Sequence, residues 1–475
     1  FVTRGPGATN ASIGIHTAMQ DSSPMILFIG QVHLKNKGRE GFQEINHTAF
    51  FEPITKWVTE INDINRIPEI VASAWHISLS GRPGPVVISI PENIFKLTAP
   101  KIPYMKVTIS EAGVNTLQFN NLKSILSDSK KILVIVGGSG WKEKGKNDLQ
   151  KFCEREKIPI ISSFRYHDII DNNSPIYIGD AGIGMVPHIS KAIKDADVII
   201  GINIRFGEAT TKAWNLLNIP FPNQKIIHIH ASDKELGKIY QPDISFHAGP
   251  NIFSSALLGI KLDKSNKENR IKWLKKLKVS YKNSLKPPKQ DSPVDMSEIM
   301  SWLQKNLKED VIITNGAGNF ALWPNKVFAY GSKQNLLAPQ SGAMGYGLPA
   351  AIAACIAHPN RQVICFTGDG DIQMCLSELG TCVENNINPI IIILNNNSYG
   401  TIRMHQERNY PGRVYATNLK NPDFSNIAKA YGLIGIKVNK TKDFAKAFKK
   451  ILKSSKGGII DLEISINAIT PYSKL

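Results

Sequence analysis

A chain of 475 residues, 42% hydrophobic and 8% aromatic, has the composition of an ordinary folded protein, and its length suggests two to four domains. Its 57 Lys and Arg against 39 Asp and Glu give a net charge of +18. The lysines are dispersed, however, and the densest cluster, Lys261 to Lys289 with KWLKKLK inside, reads as a solvated helix and linker rather than a nucleic-acid surface. No apolar run reaches the roughly 18 residues of a membrane span, and five scattered cysteines without a CxxC pair read as buried thiols of a reducing, cytoplasmic protein.

Taken in order, Phe1-Val2-Thr3 reads as the end of a strand already under way, so residues are expected to be missing before it. Arg4–Asn10 (RGPGATN) is a Gly/Pro turn opening a helix, and PMILFIGQV from Pro24 is the next strand. With GFQE (Gly41–Glu44), ITKW (Ile54–Trp57) and SGRPGPVVISIPENI (Ser80–Ile94), these make a first α/β unit over 1–100. A polar connection, Pro100–Gln118, leads to a second unit over 118–260. It starts with KKILVIVGGSG (Lys130–Gly140) and has further strands at IPIISSF, ADVIIGINI and KIIHIHA. The Gly137–Gly140 turn could face a phosphate, although it is not GxGxxG and no acidic residue closes a following second strand. The Lys-rich stretch 261–293, with Pro287-Pro288, reads as a linker to a third unit, 294–475. That unit has helical spacing over Asp295–Leu307, a strand entering a glycine turn at DVIITNGAGN, and a Gly-rich entry into an apolar helix at SGAMGYGLPAAIAA (Ser341–Ala354).

The stretch that organises the chain follows. RQVICFTGDG, a helical segment and NPIIIILNNN form strand, acidic turn, helix, strand and amide-rich turn, the pattern of a βαβ unit. A right-handed crossover puts both turns at the carboxyl edge of a parallel sheet, so Asp369 and Asn396 should meet there. A carboxylate, an amide oxygen and a nearby backbone carbonyl suit Mg²⁺ with bound phosphates, and Gly368 and Gly370 would let a diphosphate approach the backbone. Each half alone also reads as a plain tight turn and an Asn-rich loop.

Gly-Asp-Gly, some 25 residues and then Asn-Asn together resemble the signature of thiamine-diphosphate enzymes. TRGPGATN, FIGQV, GFQE, ITKW, SGRPGPVVISIPENI and GxMGYGLPAA extend the resemblance, over nearly all the chain, to the acetolactate synthase large subunit. The resemblance implies three doubly wound parallel-sheet α/β domains: a partial pyrimidine-binding domain, a central domain, and a diphosphate-binding domain. It implies Mg²⁺ held by Asp369, Asn396 and the carbonyl of Ser398, and thiamine diphosphate placed against Gly316, Gly318, Asn319, Gly368, Gly370, Asp371, Tyr399 and Gly400. The carbonyl of Gly342 would accept from the cofactor's 4′-amino group, and Met344 would prop its bent shape. Gln31, Phe42 and Gln43 match positions that border the substrate. FAD occupies the central domain in true acetolactate synthases and is a candidate here.

The resemblance further implies small 2-oxo acid substrates and a homodimer or tetramer with the active site between chains, and neither nucleic acid nor membrane is expected as a partner. The expected reaction is decarboxylation with carboligation, two pyruvates giving 2-acetolactate and CO₂, in branched-chain amino acid biosynthesis. A decarboxylase or acyltransferase of oxalyl, sulfoacetaldehyde, glyoxylate or benzoylformate type, or a catalytically silent cofactor-binding paralogue, is the alternative. The family's catalytic glutamate falls before Phe1, and Glu40 and Glu44 belong to a different motif, so this polypeptide alone is expected to be inactive. Where the synthases have Gln-Gly-Met-Val and then Trp, this chain has Tyr399-Gly400-Thr401-Ile402 and His405. Arg403 and His405 are two apart on a helix, so only one can face the site, and the match favours His405.

Overall fold

Runs of Ile and Val bounded by Gly and polar turns become strands buried on both faces, as parallel sheets covered by helices require. The structure, a computed structural model, describes residues 1–99, 101, 106–468 and 470–473, so part of the expected connection after residue 99 lies outside the described residues. Three wholly parallel sheets result, each in its own α/β domain.

The first sheet contains β1 (Met25–Gln31), β2 (Trp57–Glu60) and β3 (Pro85–Pro91) in the order β1-β3-β2. Val2 lies beside β1 as an isolated parallel bridge to Ile29. The second contains β4 (Ile132–Val136), β5 (Ile160–Ser163), β6 (Tyr177–Ala181), β7 (Val198–Ile202), β8 (Lys225–His230) and β9 (Ile244–His247). Its order, β6-β5-β4-β7-β8-β9, reverses between β4 and β7. Such a reversal opens a crevice at the carboxyl ends of the two strands.

The third contains β10 (Ile312–Asn315), β11 (Asn335–Leu337), β12 (Val363–Gly368), β13 (Ile390–Asn395), β14 (Ile434–Val438) and β15 (Gly458–Glu463). The order is β11-β10-β12-β13-β15-β14, with the reversal between β10 and β12. β12 and β13 are neighbours in register, Gly368 opposite Leu394, so the Gly-Asp-Gly turn and the asparagine turn leave the same sheet edge side by side.

The Lys-rich stretch expected as a linker is more than that. Lys267–Ser284 is an 18-residue helix whose Trp273, Leu274, Leu277 and Tyr281 belong to the core of the central domain. Lys278 caps that packing by donating to the carbonyls of Asn172, Ser174 and Tyr177. The lysines conceal an apolar stripe at helical spacing, which is why the segment reads as solvated. All five cysteines are buried free thiols, and no described helix is long and apolar enough to cross a membrane.

Candidate active site

The third sheet's switch point carries the site. Asp369 follows β12 and is 3% exposed, and its Oδ2 accepts from the backbone N–H of Ser398 at 3.2 Å and from Asn421 Nδ2 at 2.7 Å. Asn396 Oδ1 accepts from the same Ser398 N–H at 3.1 Å. One carboxylate oxygen and the Asn396 amide oxygen therefore share one small region of the sheet edge around Ser398, whose carbonyl accepts from Gly400 N–H at 2.8 Å. Burial pushes the Asp369 carboxyl up from its usual range, against the pull of Asn421 and of the backbone N–H groups around it. A divalent cation would reverse that penalty, because its charge favours the ionised carboxylate. Among the described residues no three His, Cys, Asp or Glu side chains converge on one point. The oxygen set at Asp369 instead suits a hard ion that shares its shell with water or phosphate.

The asparagine turn is fixed from the side. Asn397 adopts a left-handed backbone, φ 55°. Leu419 N–H donates to the Asn397 carbonyl at 2.8 Å, Tyr399 N–H to the Thr417 carbonyl at 2.9 Å, and Ser398 Oγ to the same Thr417 oxygen at 3.0 Å. Tyr399 lies flat against Gly370: a Cβ there would sit 2.6 Å from the Tyr399 ring.

A cavity of about 270 Å³ opens on these turns. Its wall includes Gly318, Asn319, Gly342, Met344, Gly368, Asp369, Gly370, Asp371, Asn396, Ser398, Tyr399 and Gly400, so of the residues expected at the cofactor only Gly316 stands behind the surface. Gly316 is where a Cβ would collide with the Asp371 carboxylate. Gly342 and Gly345, φ 67° and 82°, set the turn that presents Met344 ahead of the helix Gly347–Ala357. Thr401, at the start of the helix Gly400–Asn409, ties the two sides of the cavity. Its Oγ1 accepts from Asn319 N–H at 3.0 Å and donates to Asn319 Oδ1 at 3.1 Å.

The substrate-side expectations fall elsewhere. Gln31, Phe42 and Gln43 are in the first domain and line neither this cavity nor the larger one described below. Gln31 is 3% exposed and its amide is fully engaged: Nε2 donates to the Ile45 carbonyl and Oε1 accepts from Val32 N–H, both at 2.9 Å. Phe42, in contrast, is 81% exposed, at the tip of a loop in which Gln43 has φ 64°. Glu44 holds that loop by accepting from Gly38 and Gly41 N–H at 2.7 and 2.9 Å. The expectation that His405 turns inward is not met within one chain. His405 is exposed, one turn beyond Thr401, and Arg403 is the more covered of the two, with its Nε buried and unpartnered.

A larger cavity of about 830 Å³ abuts the first across Ala317, Gly318, Asn319, Gly342 and Thr401. It occupies the crevice between β4 and β7, where Asn203 Nδ2 donates to the Ser139 carbonyl at 2.8 Å. Arg82, Arg205, Lys212 and Lys238 line it together with Glu208, Phe206, Trp214 and Glu235, which pairs with Arg82 at 3.3 Å and Lys238 at 3.6 Å.

Sequence reasoning did not reach Asn421 or Arg165, and it noted Thr401 only as a departure from the synthase pattern, without its tie to Asn319. Asn421 sits 52 residues beyond Asp369, and Arg165 comes from another domain, so no spacing within a motif marks them.

Family models agree with this arrangement. The thiamine pyrophosphate enzyme C-terminal TPP binding domain matches residues 316–462, the central domain of the same enzymes 119–257, and their N-terminal TPP binding domain 1–50. The chain belongs to the thiamine pyrophosphate enzyme family. Within it, the chain is 30% identical to the probable acetolactate synthase large subunit of Methanococcus aeolicus, over 100% of this chain and 83% of that protein. It is 31% identical to the acetolactate synthase large subunit of Lactococcus lactis, over 98% and 81%. It is 30% identical to the acetolactate synthase of Arthrospira platensis, over 98% and 82%.

Proposed function

We propose that this chain is a thiamine-diphosphate- and Mg²⁺-dependent carboligase of acetolactate synthase type, which decarboxylates one 2-oxo acid and joins the remaining acyl carbon to a second. The observation that carries the reading is the pairing of β12 with β13, which sets Asp369 and Asn396 side by side at the sheet's carboxyl edge, next to its switch point. The names of the similar proteins add to it. Bound here, thiamine diphosphate supplies a nucleophilic thiazolium carbon and an electron sink for loss of CO₂.

The chain's own residues then have the following tasks. Asp369, Asn396 Oδ1 and the Ser398 carbonyl hold the Mg²⁺. The backbone at Gly316–Asn319 and Gly368–Gly370 receives the diphosphate without side-chain obstruction. The Gly342 carbonyl would be available to accept a hydrogen bond from the cofactor, and Met344 would support it from the cavity wall. Tyr399 and Gly400 close the rim, and Asp371 braces it from behind. These assignments fit a cavity whose floor, Gly368–Asp371 and Ser398, is buried and held by hydrogen bonds to Asp369, Asp371 and Ser398, since a fixed site strengthens each electrostatic contact.

Gln31, Phe42 and Gln43 serve a site completed by a second copy of the chain. They are remote from the cavity of their own chain, and Phe42 stands out from a loop stiffened by Glu44. A homodimer pairing the first domain of one copy with the third domain of the other brings them into play.

The larger cavity favours FAD as a second, non-reacting cofactor. Arg82 and Arg205 suit a pyrophosphate, Trp214 and Phe206 suit flat rings, and the volume is that of a ligand site.

The test is product analysis of the protein with pyruvate, thiamine diphosphate and Mg²⁺. The reading expects 2-acetolactate and CO₂. Acetaldehyde alone, or turnover only with an oxalyl, sulfo or aromatic substrate, would assign a different member of the family.

A further inference from the structure

We propose that Asp371 is a positioning residue, which joins three cofactor-facing segments through an uncharged-compatible hydrogen-bond geometry rather than through its charge. Asp371 is 3% exposed, and both of its oxygens are taken by the protein itself. Oδ1 accepts from Ala317 N–H at 3.2 Å and from Gly345 N–H at 3.0 Å. Oδ2 accepts from Thr367 Oγ1 at 2.7 Å. Ala317 belongs to the turn after β10, Gly345 to the turn that presents Met344, and Thr367 to the end of β12 beside the metal turn. One carboxylate thus joins the diphosphate turn, the Met344 turn and the Gly-Asp-Gly turn.

The Gly316–Ala317 peptide is held at both ends. Its N–H donates to Asp371, and its carbonyl accepts from Arg165 Nη2 at 3.2 Å. Arg165 reaches in from the central domain, is itself buried, and also donates to the Pro339 carbonyl. A peptide plane gripped from opposite sides cannot rotate, so the backbone that leads to Gly318 and Asn319 has one orientation. Two glycines record how closely the segments approach. A Cβ on Gly316 would collide with the Asp371 carboxylate, and a Cβ on Gly345 would come within 2.9 Å of Met374 Cβ.

Each Asp371 oxygen faces donors, and only the Thr367 hydroxyl can reverse its role. An asparagine is therefore a conservative replacement. Its oxygen would keep both backbone N–H groups, its amide would donate to Thr367 Oγ1, and Thr367 would keep its 3.3 Å contact with the Gly368 carbonyl. An alanine leaves two half-buried backbone donors without partners and leaves the Thr367 hydroxyl only its contact with the Gly368 carbonyl.

The bracing itself is independent of the proposed function; its effect on cofactor affinity rests on that reading. The experiment has two arms on the whole protein. Amide exchange by mass spectrometry, without ligand, follows peptides covering Ala317 and Gly345, with strands β4 and β7 as the folded reference. Asp371→Ala should speed exchange in both peptides at least tenfold, and Asp371→Asn should leave it within threefold of the parent. Titration with thiamine diphosphate and Mg²⁺ should show at least tenfold weaker binding for Asp371→Ala and near-parent binding for Asp371→Asn. Unchanged exchange in Asp371→Ala overturns the proposal. So does an Asp371→Asn variant as loose as Asp371→Ala, because the charge and not the geometry would then matter. A parent protein that binds no thiamine diphosphate would sink the functional reading alone and leave the exchange result to decide the bracing.

Discussion

The central and third domains are joined by a buried ion pair whose loss has a calculable effect. Lys326 Nζ lies 2.6 Å from Asp180 Oδ2, with the two side chains 5% and 8% exposed, and His167 Nε2 stands 3.6 Å from the same oxygen. Asp180 is in β6, and Lys326 ends the helix Leu322–Lys326. Burial alone would raise the Asp180 carboxyl, but Lys326 and His167 outweigh it and hold it down to about 2. The folded value lies below the ordinary 3.8, so the pair contributes stability that is present above that value and lost as the pH falls towards 2. Lys326→Met leaves a buried carboxylate without its partner, which costs about 3–5 kcal/mol at neutral pH. With a denaturant coefficient of about 3 kcal/mol/M, the urea midpoint should fall by roughly 1 to 1.7 M. Trp323, buried three residues earlier in the same helix, gives a local fluorescence signal. The pH dependence should also change sign. In the variant burial wins, the carboxyl rises, and stability should increase as the pH is lowered from 7 towards 4.5. A midpoint within about 0.2 M of the parent at pH 7, or an unaltered pH dependence, would refute the reasoning, since either would mean that the pair does not connect the domains.

Two further outcomes are expected. Asn421→Ala removes the 2.7 Å hydrogen bond that orients Asp369, so Mg²⁺ affinity measured with thiamine diphosphate present should weaken about tenfold to a hundredfold, with thermal stability little altered. His405→Trp should shift acceptor preference towards pyruvate and 2-oxobutyrate with cofactor affinity unchanged, because position 405 continues the face of Thr401 past the cavity rim. Competition between paired acceptors reads this directly, and identical ratios in both proteins would show that His405 does not border the substrate.

What was legible in the sequence is what local pattern controls. The runs VICFTG and IIIILN had to be buried parallel strands, and a short helical crossover between them had to set Asp369 and Asn396 at one edge. The glycines at 342 and 345 signalled a turn that other residues could not follow, and positive φ angles occur at both. In the central domain two strands went unread. β6, YIGDA, contains a glycine and an aspartate and follows Ser-Pro, and β9, ISFH, is only four residues long. The helix Lys267–Ser284 was half legible: its lysines suggested solvent, while Trp273, Leu277 and Tyr281, four residues apart, bury its other face. Least legible were the contacts across domains. Arg165 bonding Gly316, and Lys326 bonding Asp180, depend on how three independently patterned sheets pack, which no periodicity encodes.

The most direct measurement is calorimetric titration of the protein with thiamine diphosphate, in Mg²⁺ and again in a chelator, for the parent and for Asp369→Ala. Saturable binding that requires Mg²⁺ in the parent, and is at least tenfold weaker in the still-folded variant, is the expected result. Binding of equal strength in the two proteins, or binding indifferent to the chelator, would contradict the assignment of the Asp369–Asn396 turn as the metal–diphosphate site.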